Sequence, residues 1–131
     1  MTRSSRSVDP RGRLGREGED AAEKALRRAG MKVLERRFRL RSGELDLIAE
    51  QGDLVVFVEV KTRRGTGFGR PAEAVTPSKR ARMARVALAY LKGRDWLERP
   101  CRFDVIEVLV AGSAAPEVRH VPDAFRLWPT G

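Results

Sequence analysis

The sequence predicts an α/β protein in which a mixed central sheet is flanked by helices. Two apolar stretches rich in β-branched residues, 43–49 and 54–61, are joined by a short turn around Gly52, and this arrangement predicts an antiparallel hairpin. A helix beginning near Pro77 is followed by an almost wholly apolar run over 103–110, which is typical of a strand buried on both faces. A strand, a helix and a further strand favour a right-handed parallel crossover, so we expect the order αβββαβ.

The N-terminal part of the chain divides into a tail, a helix and a strand. Residues 1–13 mix Arg, Ser, Pro and Gly without apolar periodicity, so we expect a flexible basic tail before a single domain at 14–128. A helix is predicted over 15–29, where Gly30 is placed to end it, and a strand over 31–40. Small residues recur at helical spacing on one face of this helix: Gly18, Ala21, Ala22, Ala25 and Ala29.

The C-terminal half begins with a strong helix signal. The Thr76 hydroxyl can cap a helix N-terminus and Pro77 suits the first turn, so the helix is predicted to run to about Lys92. Beyond the buried strand, 117–121 is predicted to form a short additional strand. The apolar residues in 125–129 indicate a tail that packs on the domain or contributes to a dimer contact.

Length and charge limit the function classes. A chain of 131 residues with 41% hydrophobic content can bury one core, and a second domain does not fit. The formal net charge of +9 suits a polyanionic partner such as DNA or RNA. The abundance of Arg, Ala, Gly and Val is also typical of a GC-rich genome, so the charge by itself is weak evidence for that partner.

The sequence argues against disulfide, zinc and membrane functions. Cys101 is the only cysteine and His120 the only histidine, so neither a disulfide within the chain nor a His/Cys zinc cluster can form. No apolar stretch approaches the ~20 residues that span a bilayer, and no secretory signal is evident. We therefore expect a cytoplasmic protein without a membrane partner.

Charge interrupts the apolar pattern of the hairpin at the end away from its turn. Because side chains alternate along a strand, Leu45 and Leu47 are expected on one face and Asp46 on the other. On the second strand, Glu59 and Lys61 likewise share one face. Acidic and basic side chains therefore fall where an ordinary buried strand would continue apolar.

Two carboxylates on adjacent strands favour a divalent metal site. Mg²⁺ takes one or two carboxylates from a protein and keeps several waters, and Asp46 and Glu59 fit that pattern. The ammonium of Lys61 beside them can stabilise charge on a phosphate undergoing hydrolysis. The simpler alternative is a solvated ion-pair network across the hairpin, worth about 0.2–1 kcal/mol per pair.

Asp46 followed by Glu59-Val60-Lys61 resembles the Asp…(Asp/Glu)-x-Lys signature of the restriction-endonuclease-like nuclease superfamily, which includes the Holliday-junction resolvases. More specifically, the chain resembles the bacterial YraN-type family of endonuclease-like proteins over about residues 12–125. Five blocks in the same order carry the resemblance: Gly15–Ala22, Gly43–Ala49, Phe57–Arg63, Phe68–Pro71 and Arg102–Val105. The fold that it implies is the restriction-endonuclease-like αβββαβ core.

The resemblance also implies roles for individual residues. Asp46 and Glu59 would bind Mg²⁺, for which Mn²⁺ could substitute, and the backbone carbonyl of Val60 would be a further ligand. Lys61 would be catalytic. Glu17, near the start of the first helix, would join the metal cluster, although an acid there also simply favours the positive end of the helix dipole.

Other charged residues are weaker candidates for the site. Glu44 is expected two residues before the central acid along its strand, about 6–7 Å away, where it could serve a second metal or orient a ligand. Arg63, Arg64 and Arg70 belong to a glycine-rich loop suited to binding phosphate. Lys79 lies near that loop and could contact the scissile strand, but a solvated basic helix face is the commoner meaning of such a residue.

Asp104 and His120 are expected to be structural. Asp104 interrupts an apolar strand and must find a partner if it is buried; an arginine or the neighbourhood of Lys61 is expected to supply it. His120 has no evident catalytic partner in the sequence.

Three function classes remain open. The leading hypothesis is a metal-dependent endonuclease that hydrolyses DNA phosphodiester bonds, with branched or junction DNA as a candidate substrate and a homodimer as a candidate assembly, since the resembled resolvases are homodimers. The first alternative is a nucleic-acid-binding module on a nuclease fold that does not cleave, or cleaves only with a partner. The second is a protein-interaction module whose basic surface reflects genome composition.

Overall fold

The computed structural model describes residues 10–65, 67–68 and 75–126. Two helices and five strands follow one another in this part of the chain. In chain order they are α1 (Pro10–Arg28), β1 (Lys32–Leu40), β2 (Gly43–Gln51), β3 (Leu54–Arg64), α2 (Pro77–Gly93), β4 (Cys101–Val110) and β5 (Glu117–Phe125).

The five strands form one mixed sheet in the order β1-β2-β3-β4-β5. The hairpin of β2 and β3 is antiparallel and β3 is parallel to β4, both as the sequence predicts. Helix α2 connects the two parallel strands. Strand β5 adds an antiparallel edge and extends to Phe125, beyond the predicted end at Val121. The architecture confirms the α/β prediction and is compatible with a restriction-endonuclease-like αβββαβ core.

Each helix covers a different face of the sheet. Alternate residues of the central strand β3 divide between two hydrophobic clusters: Val55 and Phe57 pack with α2, whereas Val56 and Val58 pack with α1. The α2 cluster contains the aromatic side chains Phe57, Tyr90 and Phe103, and the α1 cluster is built mainly from aliphatic residues. Strands β3 and β4 are therefore covered on both sides, which explains their continuous apolar sequences.

The end of α1 and both ends of α2 agree with the sequence signals, whereas the start of α1 does not. Gly30 has φ +87°, as a glycine that ends a helix requires. Thr76 caps α2, its side chain accepting a hydrogen bond from the Lys79 N–H at 3.2 Å. The exception is the start of α1, which lies at Pro10 rather than Gly15, so 10–13 are helical and the predicted tail is helical at its end. Residues 1–9 lie outside the described residues.

The predicted alternation of faces in β2 is wrong at Leu45. Leu47 packs in the α1 cluster as expected, but Leu45 packs with Ile48 in the α2 cluster. Leu45 pairs with Phe38 of β1, and the preceding β1 residue, Arg37, has a left-handed backbone with φ +58°. The alternation of side chains is interrupted at this irregularity, and Leu45 and Phe38 both face α2.

Asp104 is a structural acid, as predicted. Its carboxylate is fully buried and accepts hydrogen bonds from Arg102 at 2.9 Å and from the Asp123 N–H at 2.9 Å, while His120 Nε2 lies 2.7 Å away. Burial alone would raise the pKa of Asp104, but the hydrogen bonds from His120 and Arg102 hold it below its usual value. The cluster joins β4 to the edge strand β5.

Helix α1 lies very close to β3 at Gly18. A Cβ atom added there would lie 1.8 Å from Thr62 Oγ1 and 2.8 Å from Thr62 Cβ, so only glycine fits. This approach brings the first half of α1 to the C-terminal end of β3.

We expect Gly18→Ala to lower the free energy of unfolding by about 1–3 kcal/mol, because the added methyl group forces α1 away from Thr62. Gly15→Ala is the matched control: nothing lies within 4 Å of its added Cβ, and alanine is the better helix former, so stability is expected to hold or rise slightly. Urea unfolding of both variants checks this. Equal stability of the two would contradict the close packing.

Candidate metal and nucleic-acid site

A cleft of about 310 Å³ opens at the C-terminal end of β3. Strand β2 supplies an acid to it, β3 an acid and a lysine, and the N-terminal turn of α2 a second lysine. Its lining residues are Leu14, Gly15, Asp46, Glu59, Val60, Lys61, Thr62 and Lys79. The structure thus brings together four of the predicted side chains, Asp46, Glu59, Lys61 and Lys79, together with Val60.

Asp46 reaches the cleft because the pairing of β2 with β3 stops just before it. The last paired residues are Leu47 and Val58, and Asp46 Oδ2 accepts a hydrogen bond from the Val60 N–H at 2.8 Å. The carboxylate therefore replaces the backbone partner that a continued ladder would have given to Val60. This bond places Asp46 beside Glu59.

Glu59 is held by a lysine from the other side of the cleft. Its side chain is only 4% exposed, and its Oε2 atom accepts a hydrogen bond from Lys79 Nζ in an ion pair. Lys79 belongs to the first turn of α2, and Glu59 belongs to the face of β3 that packs against this helix. The ion pair thus links the sheet to the start of α2.

The surroundings of Asp46 make its ionisation costly. Burial raises the pKa of Asp46 to about 8, and repulsion from Glu59 adds to the effect, while the hydrogen bond from Val60 opposes it. In the absence of a cation other than Lys79, Asp46 therefore keeps a proton at neutral pH. A divalent cation between the two carboxylates would remove this cost, because it stabilises both ionised forms.

The donor set fits Mg²⁺ or Mn²⁺ better than a softer metal. Both side chains are carboxylates, the Val60 backbone lines the cleft, and the openness of the site leaves room for water ligands. Across 10–65, 67–68 and 75–126, no three acidic, histidine or cysteine side chains converge as a metal cluster. The protein side chains that could hold a cation in the cleft are the two carboxylates, and Mg²⁺ commonly takes one or two carboxylates and retains several waters.

The acid of α1 whose charge acts on Asp46 is Glu19, whereas the sequence predicts Glu17 for the metal cluster. Glu17 is exposed and lines a different cleft, between α1 and the segment that leads into β5. Glu19 is 9% exposed, accepts a hydrogen bond from Arg37 Nε at 2.7 Å, and its charge contributes to the raised pKa of Asp46. The buried face of α1 runs through Gly18, Glu19, Ala22 and Leu26.

Four other predicted residues lie outside the cleft or outside the described residues. Glu44 forms an exposed ion pair with Arg39 at 3.4 Å. Arg63 Nε lies 3.3 Å from Glu107 Oε2, and Arg64 is exposed at the end of β3. Arg70 lies outside the described residues.

Glu107 is a second charged residue that the sequence analysis missed, hidden within an apolar strand. It is fully buried and pairs with two arginines, Arg63 of β3 and Arg119 of β5. The Arg119 guanidinium also lies 4.8 Å from the centre of the Phe68 ring. Lys61 and Glu107 are register partners, so this cluster lies beside the cleft. The sequence did contain a signal for this cluster: an acid in a strand predicted to be buried on both faces needs a cationic partner.

Neither helix in the described part of the chain is long and apolar enough to cross a lipid bilayer.

The chain is an α/β protein with an acid pair and two lysines at one end of its sheet, and its sequence matches a known family. The uncharacterised protein family UPF0102 matches residues 18–108, and the chain belongs to this family, which is the YraN-type family that the sequence resembles. The UPF0102 protein of Rhodococcus jostii is 50% identical over 114 residues, covering 86% of this chain and 95% of the relative. Those of Symbiobacterium thermophilum and Geobacter sulfurreducens are 47% and 44% identical, over 86% and 87% of this chain and 96% and 89% of the relatives.

We expect Asp46→Asn to stabilise the metal-free protein. Because the pKa of Asp46 rises from 3.8 to about 8 on folding, the folded chain retains a proton that the unfolded chain releases. The resulting loss of stability is absent below pH ~4, grows as the pH rises and levels off above pH ~8. Asparagine can still accept the Val60 hydrogen bond without the charge, so the gain should reach about 2 kcal/mol at pH 8.

Urea unfolding in chelator between pH 4 and pH 9 measures this effect. Asp53→Asn, in the exposed turn between β2 and β3, is the control and should follow the wild-type profile. A variant at Asp46 that is less stable than the wild type at pH 8 would contradict the assignment.

Proposed function

We propose that this protein is a metal-dependent endonuclease that hydrolyses phosphodiester bonds of DNA. The observation that carries the proposal is the pair formed by Asp46 and Glu59, a partly buried and a buried carboxylate on adjacent strands, in which repulsion from Glu59 helps to raise the pKa of Asp46. Lys61 follows two residues after Glu59 and lines the same cleft. An ion-pair network on a solvated strand end would not explain why Glu59 is buried with a second acid beside it.

In this proposal the cleft residues have two roles, binding the metal and stabilising charge on the phosphate. Asp46, Glu59 and the Val60 backbone would hold Mg²⁺ or Mn²⁺, which when bound supplies Lewis-acid activation of a phosphate and of a water. Lys61 presents its ammonium to the same space and would stabilise negative charge that develops on the phosphate oxygens. Hydrolysis adds the hydroxyl of water to phosphorus and a proton to the departing sugar oxygen.

Glu19 would act from behind Asp46 rather than through direct contact. Arg37 and Arg36 hold its carboxylate, with Arg36 Nε 3.5 Å away. A negative charge at this depth raises the pKa of Asp46, and the same charge would attract a divalent cation to the carboxylate pair.

Positive charge beside the cleft supports a polyanionic substrate. Arg63 and Arg119 both pair with the carboxylate of Glu107, next to the register position of Lys61. Both guanidinium groups are partly exposed, at about 40% of the side chain. Arginines at such a position bind phosphate oxygens in bidentate fashion.

We expect the purified protein to cut DNA only with Mg²⁺ or Mn²⁺, and Glu59→Gln and Lys61→Met to reduce the rate by about 100-fold or more. The assay uses labelled linear, flapped and four-way DNA with each metal and with chelator. Glu98→Gln and Lys92→Met, which alter exposed residues outside the cleft, are the matched controls and should cut at the wild-type rate.

Two outcomes would contradict this proposal. Cleavage that survives in Glu59→Gln would show that the acid pair is not the active centre. Absence of cleavage on every DNA, with unchanged DNA binding by all variants, would favour a nucleic-acid-binding module on a nuclease fold.

A further inference from the structure

Lys79 occupies a position that its helix disfavours. It lies in the first turn of α2, where the unpaired backbone N–H groups create a positive potential, and this turn contains no acidic residue. A cation at this end of a helix is destabilising because it adds to the positive end of the helix dipole. A lysine here is therefore explained by what its side chain contacts, which is Glu59.

The backbone of this turn is fixed by contacts that do not involve Lys79's side chain. Thr76 caps the helix, and Arg80 Nε donates a hydrogen bond to the Val75 carbonyl at 2.9 Å. The Arg80 guanidinium also lies 4.8 Å from the centre of the Phe125 ring. The start of α2 is thus held to the sheet independently of the ion pair, and only the Lys79 side chain needs to move for Glu59 to be released.

The exposures of the two partners differ greatly. Glu59 is 4% exposed, whereas Lys79 is 37% exposed and lines the open cleft together with Lys61. The carboxylate is therefore confined, while the long and flexible lysine side chain has solvent-filled space beside it. If a divalent cation takes Glu59, the ammonium can swing within the same cleft without unfolding any element.

We propose that Lys79 is a displaceable cation that neutralises Glu59 until a metal binds, and that it then transfers to a phosphate of the bound nucleic acid. This inference rests on the proposed function, because it assumes that Glu59 is a metal ligand. Lys79 is a positioning residue for Glu59 in the metal-free protein and a phosphate contact in the complex. Metal and nucleic acid therefore bind cooperatively, each increasing the affinity for the other by the same factor.

The test measures Mn²⁺ affinity by isothermal titration calorimetry at pH 8, without DNA and with a saturating duplex whose phosphorothioate linkages resist cleavage. Lys79→Met removes the competing charge at similar length, so it should bind Mn²⁺ roughly three- to tenfold more tightly than the wild type without DNA. DNA should tighten Mn²⁺ binding by the wild type but have a much smaller effect on Lys79→Met.

Two further variants separate this role from a structural one. Lys79→Arg keeps a cation on Glu59 and should restore the wild-type Mn²⁺ affinity and its response to DNA. Lys92→Met removes an exposed lysine at the other end of the same helix and should match the wild type. Circular dichroism spectra of all variants verify that the fold is retained.

The outcomes distinguish the two proposals. If the wild type binds Mn²⁺ and folded Lys79→Met binds it equally or less tightly, displacement is overturned while the metal site stands. If neither protein binds Mn²⁺, both this inference and the proposed function fail. Tighter binding by Lys79→Met together with loss of the DNA effect supports the inference.

Discussion

The hydrogen bond from the Val60 N–H to Asp46 Oδ2 is the constraint on which the candidate site depends. Where β2 separates from β3, a buried backbone N–H would lose its partner, which is costly. Asp46 supplies that partner with its side chain and is thereby fixed beside Glu59. This one hydrogen bond therefore satisfies the Val60 N–H and also holds Asp46 beside the buried Glu59.

The pair of Asp46 and Glu59 places negative charge in the cleft that cations from other elements of the domain offset. Burial and repulsion from Glu59 disfavour the ionised form of Asp46 and raise its pKa. The chain compensates with cations from other elements, Lys79 from α2 and, behind the pair, Arg37 holding Glu19. The close approach of Gly18 to Thr62 is what allows α1 to contribute at this depth. The cost of ionising Asp46 lowers the free energy of unfolding, and a bound metal would reverse this loss.

Features that follow from the regular alternation of side chains could be predicted from the sequence. Features that depend on a local irregularity of the backbone could not. Alternation and the short turn placed Asp46 and Glu59 on neighbouring strands correctly. The left-handed backbone at Arg37 carries no sequence signature, so the face of Leu45 was assigned wrongly. The small residues of α1 predict a buried stripe with Glu17 at its edge, whereas in the structure the buried face includes Glu19 and leaves Glu17, two residues earlier, exposed.

A crystal structure of the protein soaked in Mn²⁺, with anomalous data collected at the manganese edge, would test the metal site directly. We expect one strong anomalous peak between the carboxylates of Asp46 and Glu59, with the Lys79 ammonium no longer bonded to Glu59. A cleft without an anomalous peak, with the ion pair between Lys79 and Glu59 intact at saturating Mn²⁺, would contradict this expectation.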